Sequence, residues 1–281
     1  MKVCIIGIGL IGGSLAIDLK RRGYASSVIG VDNNKHHQNI ALHSGLVDKI
    51  DTLQNAVKKS DLIILSTPVN ANKTLLPEIL DLIDGTDKVV IDMGSTKAGL
   101  AEAVVNHPNR GRYVASHPMA GTEFSGPMAA IGKLFDYKHV ILCDKELSDE
   151  DALRTIVDMY NLLNMRISYM KSVDHDIHVA YVSHISHITS FSLALCVLDK
   201  EKDEENILKL AAGGFESTVR LAKSNAETWA PIFLQNSEYI IEVLDNYVEK
   251  MNLFKKYILE KNTEGLTELM NEANKIRKIL N

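Results

Sequence analysis

The sequence has 281 residues, 46% of them hydrophobic and 24% charged, which is typical of a globular protein long enough for two domains. Its net charge of −5 gives no reason to expect a nucleic acid or an anionic membrane as a partner. The three cysteines are far apart and lack C-x-x-C spacing, so they favour a reducing cytoplasm over a disulfide framework.

Short apolar runs alternate with helical patterns through the first 170 residues. Most of these runs are continuously apolar, as expected for parallel strands covered on both faces. They predict strands at 2–6, 27–31, 62–66, 88–92, 113–116, 139–143 and 166–170. The alternation of strands with helices predicts an α/β domain built on a Rossmann-type, doubly wound and mostly parallel sheet.

The pattern changes after residue 170, where no further clear strand occurs. Apolar residues recur there at helical spacing over about 172–198, 205–223, 229–259 and 263–280. The sequence therefore predicts two domains, an α/β domain at 1–170 and an all-helical domain at 171–281.

A glycine-rich turn follows the first predicted strand directly. Gly7, Gly9 and Gly12 form the pattern G-x-G-x-x-G, in which they allow a tight turn, close approach to a pyrophosphate and close packing of helix on strand. Leu10 and Ile11 begin the next helix, whose free N–H groups favour phosphate binding. This arrangement predicts a dinucleotide-binding site.

The end of the second predicted strand identifies the dinucleotide. Asp32 lies 20 residues beyond Gly12, where a carboxylate accepts hydrogen bonds from ribose hydroxyls and repels a 2′-phosphate. This residue favours NAD over NADP. Ser66, Thr67 and Pro68 end a later strand and are expected to lie beside the bound cofactor.

Two polar segments, 92–97 and 116–123, also follow strand ends. Ligands of such sheets bind outside the carboxyl ends of the strands, so Ser95 and His117 stand where reactive groups are expected. For most histidines a hydrogen-bonded place in the core is the simpler explanation. The position of His117, at a strand end after a cofactor fold, is hard to explain by packing.

Four histidines lie within 13 residues of the second half of the chain, which first points to a metal site. On one straight helix, however, His175 and His178 lie almost opposite His184 and His187, so the four cannot surround one ion. The sequence therefore predicts no metal.

Two apolar stretches need to be distinguished from membrane segments. Residues 177–198 are long enough to span a bilayer, but they contain three histidines and several hydroxyl groups, which are costly in hydrocarbon. We expect a helix buried in protein. Residues 1–19 contain four glycines and no evident cleavage site, so they fit a signal peptide poorly.

Five ordered blocks resemble the family of prephenate and arogenate dehydrogenases. They read Gly7-x-Gly-Leu-Ile-Gly12-Gly-Ser, Gly94-Ser95-Thr-Lys97, Ser-His117-Pro-Met-Ala-Gly121-Thr-Glu, His175-Asp-(x)3-Ala180-(x)2-Ser183-His184-(x)2-His187 and Gly213-Gly214-Phe-(x)4-Arg220-Leu-Ala. The His-Pro-Met-Ala-Gly block and the spaced histidines are specific, whereas the glycine fingerprint is shared by many enzymes.

The resemblance implies roles for individual residues. His117 matches the catalytic histidine that accepts a hydrogen bond from the ring hydroxyl, and Ser95 matches a serine that orients this histidine and the nicotinamide. Arg220 matches the arginine that holds the ring carboxylate, which suits a planar guanidinium. The other residues assigned to the substrate pocket are His187, His184, Gly121 and Thr122.

The implied reaction is the NAD-dependent oxidative decarboxylation of prephenate to 4-hydroxyphenylpyruvate in tyrosine biosynthesis, with arogenate dehydrogenase as the nearest alternative. A β-hydroxyacid-type dehydrogenase, which usually relies on a lysine, and a non-catalytic NAD-binding protein are more distant alternatives. The sequence departs from the family at Glu216-Ser217 and Asn225-Ala226, which concerns the details of side-chain recognition and leaves the expected fold unchanged. The apolar helices and the resemblance both predict a homodimer joined through the helical domain.

Overall fold

A single eight-stranded sheet forms the centre of the first part of the chain. The computed structural model of the protein describes residues 1–203 and 207–279. Its strands are β1 (Lys2–Ile6), β2 (Ser27–Val31), β3 (Lys49–Ile50), β4 (Leu62–Leu65), β5 (Val89–Asp92), β6 (Tyr113–Pro118), β7 (His139–Cys143) and β8 (Arg166–Met170). The order across the sheet is β3-β2-β1-β4-β5-β6-β7-β8. Only the β6–β7 pair is antiparallel, so the predicted doubly wound, mostly parallel fold is confirmed.

Helices cover both faces of this sheet. They are α1 (Leu10–Arg21), α2 (Lys35–His43), α3 (Leu53–Lys59), α4 (Val69–Leu82), α5 (Ala98–Ala103) and α6 (Glu150–Leu162). Alternate residues of one strand therefore enter two separate cores. In β1, Val3 and Ile5 belong to one apolar cluster, and Cys4 and Ile6 belong to the other. Burial on both faces explains why the strands read as continuous apolar runs.

The strand order reverses between β1 and β4, which are neighbours in the sheet although β2 and β3 lie between them in sequence. The chain leaves β1 toward β2 on one side and continues from β4 to β5 on the other. Such a switch point opens a crevice at the carboxyl ends of the strands. The glycine turn after β1 and the segment 66–68 after β4 lie at this edge.

The helical part of the chain is more broken than its sequence predicts. It contains α7 (Ser172–Val179), a π-helical turn (Ala180–His184), α8 (Ile185–Asp203), α9 (Gly213–Thr218), α10 (Ala226–Gln235), α11 (Ser237–Leu259) and α12 (Thr263–Ala273). Short 3-10 turns occur at Leu208–Leu210, Arg220–Lys223 and Asn274–Lys278.

Two of the long helices predicted from periodicity are wrong as single helices. The stretch predicted at 205–223 divides around Gly213, and its first two residues lie outside the described ones, as does residue 280 at the end of the last predicted helix. The stretch predicted at 229–259 divides at Asn236. Its first helix already begins at Ala226, because the Asn225 side chain accepts a hydrogen bond from the backbone N–H of Thr228.

By compactness the chain divides into Met1–Asn236 and Ser237–Asn281. The first unit contains the sheet and helices α1 to α10. The second contains α11 and α12, which pack on each other. The boundary predicted between residues 170 and 171 lies where the strands end and the helical part begins. As a domain boundary it stays a prediction.

One helix in the described part of the chain, Ser172–Lys202, is long and apolar enough to cross a membrane by length and composition alone. Only 22% of its most apolar window is buried, and Leu195 and Leu198 are exposed. The expectation that this stretch is buried is therefore not met within one copy of the chain.

Candidate active site

The glycine turn after β1 is shaped by close backbone contacts. Gly7 has a φ of +88°, a conformation that favours glycine, and a Cβ on Gly12 would lie 2.3 Å from the carbonyl oxygen of Gly7. A Cβ on Gly9, in contrast, would meet nothing within 4 Å. Gly12 thus allows α1 to pack against the turn, while Gly9 leaves open space where a phosphate group can approach the backbone.

Asp32 follows β2 and is fixed by two backbone groups. Its Oδ2 accepts a hydrogen bond from Ile8 N at 2.9 Å, and its Oδ1 accepts one from Asn34 N at 2.8 Å. Because Ile8 belongs to the glycine turn, the carboxylate is held directly beside that turn. This geometry fits the ribose hydroxyls of NAD and disfavours a 2′-phosphate.

A crevice of about 1080 Å³ runs along this edge of the sheet. Its lining includes every residue assigned to the cofactor except Gly12: Gly7, Gly9, Leu10, Ile11, Asp32, Ser66, Thr67 and Pro68. The hydroxyl of Ser66 donates to the carbonyl oxygen of Gly7 at 2.7 Å and so ties the two sides of the switch point together. The residues present therefore fit a bound dinucleotide.

The same crevice extends to two of the segments that sequence patterns assign to the substrate. Ser95 lines it from the turn after β5, and Gly121 and Thr122 line it from the loop after β6. His117 is the penultimate residue of β6, three residues before Ala120, where that loop first reaches the crevice. Cofactor and substrate segments thus meet at one edge of the sheet.

A buried polar cluster supports the turn that carries Ser95. Asp92 and Lys97 form an ion pair in which neither side chain is exposed, and Lys97 Nζ also donates to the carbonyl oxygen of Ser116 at 2.8 Å. The hydroxyl of Tyr113 donates to Asp92 Oδ1 at 2.7 Å. A charge pair is stable in such a site because hydrogen bonds satisfy its remaining polar atoms.

His117 is buried, and its Nδ1 lies 2.8 Å from Nε2 of His175. Burial holds the pKa of His117 well below its ordinary value, and positive charge on the neighbouring His175 or Lys97 lowers that pKa further. The hydrogen bond of His117 goes to His175 rather than to Ser95. At neutral pH His117 is therefore a neutral imidazole, the form that accepts a proton.

His175 and Asp176 are the site residues that the sequence interpretation left without a role. Nδ1 of His175 lies 2.7 Å from Asp176 Oδ1, and the carboxylate of Asp176 also accepts the backbone N–H groups of Lys97 and Ala98 at 2.8 Å each. This contact joins α7 to the start of α5. The signal was present in the His175-Asp176 block, but its partner His117 is 58 residues away in sequence.

The four clustered histidines do not lie on one straight helix, so that expectation is wrong: the π turn Ala180–His184 separates α7 from α8. A π turn holds more residues per turn than an α-helix and rotates the residues after it. His184 is close enough to His117 to lower its pKa, and Asn236 Nδ2 bridges the carbonyl oxygen of Asp176 and His184 Nδ1 at 2.8 and 3.0 Å. In the part of the chain that the structure describes, no group of three or more potential ligands is placed to hold a metal.

His184 and His187 both contact Trp229, the single tryptophan of the chain. His187 stacks on the indole at 3.3 Å between ring centroids, and His184 meets it edge-on at 6.0 Å. Burial lowers the pKa of His184 to about 4 and also lowers the pKa of His187. Trp229 lines the crevice, whereas the two histidines are not among its lining residues. No sequence motif singled out Trp229 for this position.

Arg220 is exposed, as are Gly121 and Thr122 among the predicted substrate residues. Its side chain is 54% exposed, and Nη1 lies 3.7 Å from Oε2 of Glu123, which lines the crevice. It is near enough to His187 to lower the pKa of that imidazole. The structure thus places Arg220 beside Glu123 at the rim of the crevice and near His187, which does not itself line the crevice.

The fold and the site define an NAD-dependent oxidoreductase, with a glycine-rich turn, a carboxylate held beside that turn and a neutral histidine at one sheet edge. Two family models identify it further. "Prephenate dehydrogenase, nucleotide-binding domain" matches residues 15–169, and "Prephenate dehydrogenase, dimerization domain" matches residues 171–272. The chain belongs to the prephenate dehydrogenase family.

Proteins of similar sequence and structure match this chain along nearly its whole length. A prephenate dehydrogenase of Bacillus subtilis is 29% identical, with 98% of this chain and 75% of that protein covered. The crystal structure of prephenate dehydrogenase from A. aeolicus in complex with hydroxyphenyl propionate and NAD+ has a TM-score of 0.87 at 29% identity and covers 100% and 99% of the two chains. The structure of Synechocystis arogenate dehydrogenase has a TM-score of 0.77 at 28% identity, with 99% of each chain covered.

Proposed function

We propose that the protein catalyses the oxidative decarboxylation of prephenate to 4-hydroxyphenylpyruvate, with NAD as the oxidant, in tyrosine biosynthesis. The observation that carries this proposal is His117, a buried and neutral imidazole whose Nδ1 is occupied by His175. Its other nitrogen, Nε2, is left for the substrate hydroxyl. The names of the family and of its similar members support the same substrate.

The proposed reaction needs a proton acceptor at the ring hydroxyl. As Nε2 of His117 draws off the hydroxyl proton, the hydride on the same carbon leaves more easily. NAD bound in the crevice would supply the hydride acceptor. The ketone so formed withdraws electrons from the bond to the ring carboxylate, carbon dioxide leaves, and the aromatic ring takes the proton back on its oxygen.

The remaining predicted residues bind and orient the substrate in this proposal. Arg220 binds the ring carboxylate, and its exposed position at the rim suits a dianion that enters from solvent. His187 contacts the side chain, with its ring held flat against Trp229. Ser95, Gly121 and Thr122 line the crevice where the nicotinamide and the ring meet.

Arogenate is the second candidate substrate, because an arogenate dehydrogenase is among the similar structures. It differs from prephenate in carrying an amino acid side chain. The deciding assay measures NADH formation from each substrate, with NAD and with NADP. We expect prephenate with NAD to give the highest kcat/KM. Protein that binds NADH but reduces NAD with neither substrate would disprove the proposed activity.

We further propose that the protein is a cytoplasmic homodimer joined through its helical domain, without nucleic acid or membrane as a partner. The match to a dimerization domain supports the assembly, as do exposed apolar residues on α8 such as Leu195 and Leu198. Light scattering during size-exclusion chromatography at micromolar concentration tests it. A mass near the 31.1 kDa of one chain would contradict the dimer.

A further inference from the structure

We propose that His175, anchored by Asp176, is a positioning residue that fixes the tautomer of His117 and stabilises its protonated form. This inference rests on the proposed role of His117 as the proton acceptor. It concerns a chain of three side chains, Asp176, His175 and His117, that connects the start of α5 through α7 to β6.

The atoms along this chain leave one consistent arrangement of protons. The carboxylate of Asp176 accepts two backbone N–H groups and also lies 2.7 Å from Nδ1 of His175, so that nitrogen carries the proton. Nε2 of His175 is then unprotonated and accepts. It lies 2.8 Å from Nδ1 of His117, which must therefore be the donor. The remaining nitrogen of His117, Nε2, carries the free lone pair.

The same chain stabilises the positive charge that appears on His117 when Nε2 takes up a proton. The Nδ1–H of the imidazolium stays donated to His175, whose own Nδ1–H points to the anionic Asp176. A hydrogen bond from a charged donor is stronger than one from a neutral donor. The positive charge on His117 is therefore stabilised by the carboxylate of Asp176 through His175, and Asp176 need not touch the substrate.

The groups around His117 disfavour a positive charge on its imidazole, so protonation there needs the support of the hydrogen bonds to His175 and Asp176. Lys97 carries a positive charge near His117, although its own partner is Asp92, and His184 approaches from the π turn. A protonated His175 would oppose the charge most strongly, but burial lowers the pKa of His175 as well, so that it acts as a neutral acceptor. Burial removes water from both imidazoles. A continuous line of hydrogen bonds leads from His117 through His175 to the carboxylate of Asp176.

A packing role for His175 makes the opposite prediction from a hydrogen-bonding role. The ring of His175 is fully buried and meets His117 edge-on, with 5.0 Å between ring centroids. If the ring only fills space, leucine replaces it better than glutamine, because burying an unpaired amide is costly. If it accepts the Nδ1–H of His117, glutamine restores an acceptor oxygen and leucine does not.

The kinetic test compares His175→Leu and His175→Gln, with His178→Leu as the matched control on an exposed position of the same helix. We expect kcat to fall roughly 10–10²-fold in the leucine variant, as for outer partners of other functional imidazoles, with a smaller loss for glutamine. KM and the Kd of NADH should change less than about threefold, because neither His175 nor His178 is expected to touch a ligand. The acid limb of the kcat/KM profile should move to lower pH in both variants. A leucine variant with wild-type kcat and pH profile, or a glutamine variant slower than the leucine variant, would overturn the proposal.

The structural test needs no turnover. Long-range 1H–15N NMR of protein labelled at its histidine nitrogens reads the tautomer of each ring, and His117→Asn and His175→Gln assign the two signals. We expect both rings to be protonated on Nδ1. An Nε2-protonated His117 would refute the inference even in an active enzyme. If the wild-type protein turns over neither substrate, the proposed function fails. The two tautomers still show whether the hydrogen bonds between Asp176, His175 and His117 are arranged as proposed.

Discussion

Lys97 and Asp92 form an ion pair that solvent does not reach, and the pair joins the last residue of β5 to the residue directly before α5. Removing one partner leaves a buried charge without compensation. We expect Lys97→Met to lower the free energy of unfolding by about 3–5 kcal/mol, measured by urea denaturation. Lys58→Met, at an exposed position, is the control. A loss below about 1 kcal/mol in Lys97→Met would show that Asp92 finds other compensation.

His117→Asn removes the proton acceptor but keeps a polar side chain of similar size. We expect kcat to fall roughly 10²–10⁴-fold, the usual contribution of a general base, with little change in the Kd of NADH. Steady-state kinetics and fluorescence titration of NADH measure the two quantities. Unchanged turnover would remove His117 from the chemistry, and lost NADH binding would indicate a folding defect instead.

Arg220→Ala removes the cation at the rim of the crevice. Because the guanidinium binds a carboxylate that is present before and after the hydride leaves, the main effect should be a KM raised roughly 10–10²-fold. Arg154→Ala, an exposed arginine on α6, serves as the control for loss of charge. An unchanged KM for prephenate in Arg220→Ala would overturn the assignment of Arg220.

Asp32→Asn tests the basis of cofactor choice. The carboxylate accepts the N–H groups of Ile8 and Asn34, and the proposed site adds the ribose hydroxyls. An amide removes the negative charge that repels a 2′-phosphate. We expect the ratio of kcat/KM for NAD to that for NADP to fall at least about tenfold, since a hydrogen bond to a charged group contributes roughly 1.5–3 kcal/mol. A constant ratio would place the discrimination elsewhere.

The free energy of unfolding should fall as the pH drops below 6.5. Burial lowers the pKa of His184 from 6.5 to about 4, and burial also lowers the pKa values of His117, His175 and His187. Between these values the unfolded chain binds protons that the folded protein excludes, so stability is complete above pH 6.5 and is lost toward pH 4.

For His184 alone the loss between pH 7 and pH 5 is about 2 kcal/mol. Urea denaturation at the two pH values measures it, and His184→Gln removes this one contribution. The variant should therefore show the shallower dependence on pH. An equal slope in both proteins would mean that His184 is accessible to protons in the folded state.

The sheet was predictable because strands that are buried on both faces have continuous apolar runs in the sequence. Seven strands stand where continuous apolar runs predict them, whereas β3 is missed because two residues, Lys49 and Ile50, carry no pattern. The cofactor side of the crevice was predictable for a similar reason. The glycine turn and Asp32 act through local backbone geometry, which depends on sequence spacing.

The proton side of the site was only half predictable. The place of His117 at a strand end follows from topology, but its bond to His175 requires β6 and α7 to meet in space. The positions of Asn236 and Trp229 depend on where the helical segments break and pack, which periodicity predicted poorly. Tertiary contacts, rather than residue spacing, decide these pairs.

The π turn Ala180–His184 sets the direction in which the side chains after it point. A π turn amounts to one extra residue within an α-helix. If the same residues adopted regular α-helical geometry instead, every residue downstream would be turned by about 100°. His187 would then leave the face of Trp229 although every side chain of the site remained in the sequence. The site is thus encoded in the count of residues between His175 and His187 as much as in their identity.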